Sequence, residues 1–473
     1  MINGRMFING NWRDGKEYIE VVNPFSNEII GRVPKAEDKD IEDSINTAVS
    51  SFQTSKTLTA YERARILGEV SKKIEEQQKE LSKLISLESG KPIRYALGEV
   101  KRAVETFKFA SIEAQEIYGK VIPMDAATKG KDYFGFYLRV PKGVILAITP
   151  FNFPLNLVAH KVGPAIASGN SIILKPASVT PLISVKLGEI FENAGLPKGI
   201  LNIIFGSGSD VGRKLVRDER IQMVTFTGSL PVGEVIKREA GFKTVTLELG
   251  NNSPVVLEDV DDLHQVVDRL IIGAFAYSGQ VCISVQRIYV NRNLFDDFVS
   301  LFVEKTEKLK IGDPLLPDTD IGPMISPSEA TRAMDWLNEA TSEGAKVLTG
   351  GERKKDIILP TVLTNVSKEM RVVKDEVFAP VVSIIPYDNF DEAIKLANET
   401  KYGLQAGVFT KNVDNIFKAV DSINAGGLIL NDFPTFRVDH MPYGGVKKSG
   451  MGREGLKYAI EEMTEIKLVV IKK

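Results

Sequence analysis

Between residues 144 and 250 the chain repeats one pattern: a short β-prone, apolar run closed by Gly, Pro or Ser, most often followed by a helical stretch. The runs are 144–148, 171–174, 201–205, 223–226 and 244–247. Strands that alternate with helices predict a parallel, doubly wound α/β sheet, because a crossover helix returns the chain to the end of the sheet from which it started. Ligands of such sheets sit at the carboxyl ends of the strands. At those ends the sequence places Thr149-Pro150-Phe151-Asn152, Lys175-Pro176-Ala177-Ser178, Gly206-Ser207-Gly208 and Thr227-Gly228-Ser229. Polar residues and glycine gather where a cofactor would lie.

Around this unit the texture changes. Residues 41–118 carry apolar side chains near every third or fourth position, with charged runs such as Lys72-Lys73-Ile74-Glu75-Glu76 that read as solvated helix faces. A second α/β segment begins near Asn251 and extends to about Leu430, with strands expected at 287–290, 381–385 and 407–409. The polar and aromatic segment 120–140 and the β-prone tail 465–471 fit neither pattern and are expected to pair as an edge sheet or a subunit arm. A chain of 473 residues exceeds one ordinary domain, which implies two domains plus an appendage.

Charge narrows the partners. With 60 Lys+Arg against 62 Asp+Glu the net charge is -2, so no excess of either sign favours nucleic acid or an acidic membrane, and a small molecule is the expected ligand. No apolar run approaches the ~20 residues that span a bilayer, and the polar start lacks the apolar core of a signal peptide, so a cytoplasmic protein is expected. One Cys cannot form an internal disulfide, and one Cys with three His offers no zinc spacing, so no metal is expected.

That one cysteine, Cys282, follows Ser278-Gly279-Gln280-Val281, where a glycine lets the backbone approach a ligand closely. A lone Cys is more often an inert apolar residue than a nucleophile. A nucleophilic thiol needs a donor for the oxyanion it creates, and the Asn152 amide with the Cys282 backbone N–H would supply one. Glu248 closes the strand 244–247 and points into the crevice, either as half of a buried salt bridge or as a general base with a raised pKa. No GxGxxG follows a strand. Phe226-Thr227-Gly228-Ser229 with Gly233 still places a helix N-terminus against a pyrophosphate, unless it is only a tight turn. Lys175 either reaches an adenosine ribose or its phosphate, or is a surface lysine.

Taken together, these residues resemble one family. Thr149-Pro150-Phe151-Asn152-Phe153-Pro154, Phe226-Thr227-Gly228-Ser229, Glu248-Leu249-Gly250, Gly279-Gln280-Val281-Cys282, Glu376-Val377-Phe378-Ala379-Pro380 and Pro442-Tyr443-Gly444-Gly445 through Arg453-Glu454 resemble the aldehyde dehydrogenase superfamily in order and spacing, from Phe7 nearly to the end of the chain. The resemblance implies an α/β fold with a Rossmann-like cofactor-binding domain (1–119 and 141–250), a second α/β catalytic domain (251–430) and a β oligomerisation arm (120–140 and 455–473). It implies a homodimer or homotetramer. It makes Cys282 the nucleophile, Asn152 the oxyanion donor and Glu248 the base that activates the deacylating water. Lys175 and Ser178 would flank the adenosine ribose, Gly228 and Ser229 the pyrophosphate, Glu376 the nicotinamide ribose and Phe378 the nicotinamide. Thr149, Pro150, Phe151, Pro176, Ala177, Gly208 and Leu249 would complete the cofactor surface. The implied reaction is NAD(P)-dependent oxidation of a small aldehyde to a free acid through a Cys282 thioester, and Glu248 argues against the coenzyme A-acylating branch.

Three features depart from the common pattern. Asn251-Asn252 replaces a second glycine after Glu-Leu-Gly, which predicts a shifted turn behind the base. Ser178 stands where many NAD-preferring members carry Glu, and with Lys175 nearby this tilts the cofactor toward NADP. Ile283-Ser284-Val285-Gln286 and Phe436-Arg437-Val438-Asp439-His440-Met441 are similar to archaeal lactaldehyde dehydrogenases, which predicts a small, hydroxylated or anionic substrate. Lactaldehyde, succinic semialdehyde, glyceraldehyde 3-phosphate and sulfolactaldehyde all fit. Arg437 and His440 are candidate substrate residues, Arg437 being equally readable as an exposed arginine or an ion pair at a subunit interface. His160 and His264 read as ordinary residues without a role. A cofactor-independent thiol esterase and a catalytically silent binding protein are the rivals from other classes.

Overall fold

The computed structural model describes all 473 residues. Two large sheets organise them. The first has eight strands in the order Gly450–Met451, Thr244–Glu248, Ile221–Thr227, Val144–Ile148, Ser171–Lys175, Leu201–Ile203, Met6–Ile8 and Asn11–Arg13. The five strands anticipated from the sequence pair in parallel at its centre, and the outer strands are antiparallel. Val144–Ile148 and Ser171–Lys175 are buried along their whole length, as continuous apolar runs must be when helices cover both faces. From Val144–Ile148 the chain first builds outward on one side and then crosses back to place Ile221–Thr227 on the other. The crevice where strand order reverses is the ligand end of such a sheet. Thr149–Asn152 and Thr227–Gly228 flank it.

Four helices occupy the helical stretch: Asp38–Ser55, Ala60–Glu76, Gln78–Ser89 and Ile93–Glu113. Their limits follow local chemistry. Thr59 caps the second helix with a reciprocal bond pair, its hydroxyl accepting from the Glu62 N–H at 3.2 Å and its own N–H donating to the Glu62 carboxylate at 2.8 Å. Gly90, at φ 70°, takes the left-handed turn that ends the third. These helices and the first sheet share one apolar core.

The second sheet has seven strands in the order Lys346–Thr349, Thr361–Thr364, Val381–Tyr387, Val285–Asn291, Ser253–Leu257, Gln405–Phe409 and Gly427–Leu430. All neighbours are parallel except the edge pair made by Lys346–Thr349. A third sheet joins Lys120–Ile122, Tyr133–Pro141 and Thr464–Lys472, the last two antiparallel from Thr464↔Pro141 to Lys472↔Tyr133. The pairing of the odd segment with the tail is thus as the sequence predicted. Ile466, Leu468 and Val470 stand exposed on one face of this ribbon, and Phe134, Leu138 and Ile471 on the other. No helix is long and apolar enough to cross a membrane.

Candidate active site

Cys282 is delivered by a strained turn. Tyr277, Ser278 and Gly279 adopt consecutive left-handed conformations, with φ of 50°, 54° and 69°. Such residues persist only where their surroundings over-determine them. Here the Tyr277 hydroxyl donates to the Ser89 carbonyl at 2.9 Å and the Ser278 hydroxyl to the Gly322 carbonyl at 2.8 Å. Gly279 packs so closely on the Ala379 carbonyl that no Cβ fits. The turn ends at Cys282, three residues before the strand Val285–Asn291 begins.

The first sheet supplies the other groups. Asn152 is buried and its amide donates to the Gln280 carbonyl at 3.0 Å, which ties the loop after Val144–Ile148 to the cysteine loop. Glu248 ends its strand 3% exposed, and neither carboxylate oxygen has a hydrogen-bond partner. Burial first, and then the charge of Glu454, hold its carboxyl well above the usual carboxylate range, against the pull of Arg437, Lys161 and Arg453. The salt-bridge reading of Glu248 has no cation within bonding distance to support it. An edge of Cys282 reaches solvent, yet the burial around its sulfur pushes the thiol up to about 11, with Tyr443 and Arg437 acting in the opposite sense.

Most of the anticipated cofactor residues follow the strands of the first sheet, and Glu376 and Phe378 precede Val381–Tyr387 of the second. Lys175 is buried, bonds only to the Pro176 carbonyl at 3.1 Å, and is brought down to about 8 by burial. No carboxylate pairs with it. Ser178 donates to the Gly206 carbonyl at 2.9 Å, and Gly208 opens a single π-turn, Gly208–Gly212. Gly228 donates to the Glu248 carbonyl at 3.0 Å, and Ser229 begins the helix Leu230–Glu239 with its hydroxyl free of any capping bond. The Thr149 N–H reaches the Lys175 carbonyl at 3.3 Å, while the side-chain hydroxyls of Thr149 and Thr227 are buried without partners. Pro150 and Ala177 continue these two loops. Phe151 meets Phe378 edge to face, their centroids 6.0 Å apart, with Phe378 at φ 50°. Glu376 accepts from the Asn251 N–H at 3.0 Å and is pushed up to about 7 by burial, and its carboxylate fills the space where a side chain on Gly250 would go. Leu249 packs against Gly233. Unpartnered hydroxyls, a lone buried ammonium and a helix N-terminus on one wall fit a nucleotide with anionic phosphates.

Asn251 and Asn252 do not loosen the turn behind Glu248. The Asn251 amide donates to Ser253 Oγ at 2.8 Å and to the Gln405 carbonyl at 3.0 Å. The Asn252 amide reaches the Val373 carbonyl at 2.9 Å. Asn251 stitches the turn to the strand Gln405–Phe409 of the second sheet, and Asn252 to the short helix Arg371–Lys374.

The late loop corrects three expectations. Arg437 is not exposed, and its ion pair is made within the chain: its side chain is 5% exposed, paired to Glu454 at 3.1 Å, and stacked 3.6 Å over the Tyr443 ring. His440 is not gathered into the site. It is exposed and rests on Phe109 at 4.7 Å, because its neighbour Asp439 takes the inward position. His160 is far from ordinary: it is buried, with Nε2 2.8 Å from Asp439 Oδ1. Asp439 also binds Arg102 at 2.7 Å, which together with the His160 bond holds its carboxyl well below the usual range despite burial.

Several residues of this neighbourhood escaped the sequence reading. Lys161 pairs with Glu454 at 2.7 Å, and a lysine on Asn156–Ala167, a helix buried all round, was the available signal. Lys91 and Glu99 form an ion pair sealed from solvent, with the Lys91 ammonium 3.9 Å over the Phe153 ring and 4.7 Å over Tyr277. Glu99 also accepts from the Leu155 and Asn156 N–H groups at 2.9 and 3.2 Å, so one pair braces both the Asn152 and the Cys282 loops.

Known proteins resemble this chain along nearly its whole length. A model of the aldehyde dehydrogenase family matches residues 12–469. A 3-sulfolactaldehyde dehydrogenase of Priestia megaterium is 45% identical over 466 residues, covering 98% of this chain and 97% of the relative. Aldehyde dehydrogenase 21 of Physcomitrella patens, solved in complex with the reaction product succinate, has a TM-score of 0.98 at 43% identity, covering 100% of this chain and 98% of the other. Glyceraldehyde-3-phosphate dehydrogenase GapN of Methanocaldococcus jannaschii, complexed with NADP, has a TM-score of 0.93 at 42% identity, covering 97% and 100%.

Proposed function

The chain belongs to the aldehyde dehydrogenase family, and from that premise we propose that its NAD(P)-dependent oxidation turns a small, hydroxylated or anionic aldehyde into the free acid at Cys282, Asn152 and Glu248. The observation that carries this reading is the bond from the Asn152 amide to the Gln280 carbonyl, which brings an amide donor beside the cysteine loop in the crevice where Glu248 lies without a partner. Cys282 as thiolate adds to the aldehyde carbon, and the oxyanion accepts from the Asn152 amide and the Cys282 backbone N–H. NAD(P), when bound, supplies the oxidant that leaves a thioester on Cys282. Glu248, its basicity raised by burial, then takes a proton from the water that attacks the thioester carbon.

The same crevice supports the cofactor residues Thr149, Pro150, Phe151, Lys175, Pro176, Ala177, Ser178, Gly208, Gly228, Ser229, Leu249, Glu376 and Phe378. It favours NADP over NAD: a buried ammonium with only a carbonyl for company is stabilised by a phosphate, and no carboxylate at residue 178 repels one. Arg437 is the substrate residue. Its buried Nε has no partner, and a cation beside the thiol suits aldehydes bearing a carboxylate, sulfonate or phosphate. The exposed apolar ribbon of Tyr133–Pro141 and Thr464–Lys472 supports an arm of a homodimer or homotetramer.

Initial rates for lactaldehyde, 3-sulfolactaldehyde, succinic semialdehyde and glyceraldehyde 3-phosphate, each with NAD and NADP, test the reading. At least one anionic or hydroxylated aldehyde should outrun simple alkyl aldehydes, and Cys282→Ser should abolish turnover. Full oxidation by Cys282→Ser would sink it.

A further inference from the structure

Tyr443 is 3% exposed, and its Oη lies 3.1 Å from Cys282 Sγ. Its backbone and one face of its ring are held in place. The Tyr443 N–H donates to the Glu454 carbonyl at 3.0 Å and the Glu454 N–H returns to the Tyr443 carbonyl at 2.7 Å. The Arg437 guanidinium covers the ring face at 3.6 Å, and is itself fixed by the Glu454 carboxylate, which Lys161 anchors in turn. A phenol so confined keeps its hydroxyl on the sulfur. The charged groups that face the thiol are Arg437, which favours the thiolate, and Glu376 and Glu248, which oppose it along with burial. Tyr443 is the neutral hydrogen-bonding side chain at the sulfur.

We propose that Tyr443 is a further catalytic residue, whose hydroxyl donates a hydrogen bond to the Cys282 thiolate both before attack and when the thioester breaks. In the thiol state either atom can donate. An ionised sulfur carries only lone pairs, so the phenol must then supply the hydrogen, and a bond to a charged acceptor is roughly twice as strong as a neutral one. Burial and the neighbouring sulfur keep the phenol protonated, which preserves it as a donor. The Arg437 cation on the ring face strengthens the same polarity. In deacylation the water oxygen forms a bond to the carbonyl carbon, the C–S bond breaks, and its electron pair stays on sulfur. The water proton goes to Glu248, and Tyr443 keeps its own proton throughout. The sulfur that attacks and the sulfur that leaves are thereby stabilised by one group.

This inference rests on Cys282 being the nucleophile, and its test separates the two ideas. The chain has one cysteine, so alkylation of the full-length protein by iodoacetamide reads that thiol alone. Tyr443→Phe keeps the ring and its stack while removing the bond, and should raise the midpoint pH of alkylation by about one unit, slowing the reaction ~tenfold on the acid side. Incorporating 3-fluorotyrosine at position 443, whose phenol is more acidic and donates more strongly, should lower the midpoint. Unchanged NADP binding by either protein establishes that the fold persists, and if Tyr443→Phe fails that check the fluorinated protein decides. A midpoint that does not move in the folded variants overturns the proposal. Failure of the nucleophile reading registers elsewhere, as aldehyde oxidation by Cys282→Ser, whatever the alkylation midpoints do.

Discussion

A single methyl group at Gly279 tests how finely the nucleophile is placed. Gly279 sits at φ 69°, and a Cβ there would lie 2.6 Å from the Ala379 carbonyl carbon, where ordinary van der Waals contact begins near 3.4 Å. The Ala379 carbonyl oxygen would lie closer still, so Gly279→Ala forces a separation of at least ~0.8 Å. The Ala379 side cannot yield easily, because the following Pro380 carbonyl accepts from the Thr361 N–H at 2.9 Å and the chain enters the strand Val381–Tyr387. Upstream, Tyr277 and Ser278 are pinned through their hydroxyls. The displacement passes to Gln280, Val281 and Cys282, and a misplacement near 1 Å costs on the order of 10²-fold in rate. An alanine in the left-handed region adds about 1–2 kcal/mol of destabilisation. Steady-state formation of reduced nucleotide should show kcat down ~100-fold with nucleotide KM nearly unchanged, and thermal denaturation should show a modest loss of stability. If Gly279→Ala keeps kcat within about twofold of the parent, the loop is softer than this packing requires and the strain argument fails.

Four other outcomes are expected. Glu248→Gln should release one equivalent of reduced nucleotide in a burst and then turn over some 10²–10⁴-fold more slowly, and a linear time course without a burst would remove Glu248 from deacylation. Because its carboxyl is held protonated above the usual range, kcat of the parent should climb with pH as Glu248 ionises, and that limb should vanish in the Gln variant. Lys175→Met should weaken NADP about tenfold more than NAD in equilibrium titrations; equal losses would place the lysine away from the 2′-phosphate. Asp439, depressed by His160 and Arg102, stabilises the fold above the ordinary carboxylate pKa of 3.8, and that stability is lost as pH falls below it. Asp439→Asn should accordingly denature earlier than the parent at pH 7, the gap beginning to narrow only as pH falls below 3.8, and a gap in melting temperature that does not narrow there would contradict the assignment.

The fold was legible wherever a local period writes it. Val144–Ile148 and Ser171–Lys175 are unbroken apolar runs because both faces are covered, and the Gly, Pro and polar residues after them mark strand ends without knowledge of the rest of the chain. The run at 201–205 came out shorter, as Leu201–Ile203, because its last residues turn toward Gly206. What no period writes is a bond between residues nearly three hundred positions apart. His160 and Asp439 meet across 279 residues and Lys161 and Glu454 across 293, so on one buried helix the histidine read as ordinary and the lysine drew no reading at all. Arg437 and His440 illustrate the same limit at short range. They are three residues apart in one irregular loop, and only the packed structure decides that the arginine turns in and the histidine out.

One topological fact explains why the cofactor wall was easier to read than the nucleophile. In the first sheet Glu248 and the candidate cofactor residues between Thr149 and Leu249 sit at or just after the carboxyl ends of parallel strands, the ends at which doubly wound sheets bind ligands, whereas Glu376 and Phe378 precede Val381–Tyr387 of the second sheet. Cys282 comes instead before the amino end of Val285–Asn291 in the second sheet. The carboxyl ends of that sheet, at Asp259, Lys411 and Asn431–Asp432, line a separate cavity of about 430 Å³ that shares no residue with the crevice. The site is therefore made where the carboxyl end of one sheet faces the amino end of the other. A residue at a carboxyl end needs only an ordinary turn to reach a ligand. A residue ahead of an amino end arrives from a helix, here Leu263–Phe275, and must reverse before its strand begins. Three left-handed residues in succession make that reversal, and the Ser89, Gly322 and Ala379 carbonyls that fix them come from three distant parts of the chain. The strain at Tyr277–Gly279 is thus a consequence of sheet polarity, and its location just ahead of the thiol follows from the same cause.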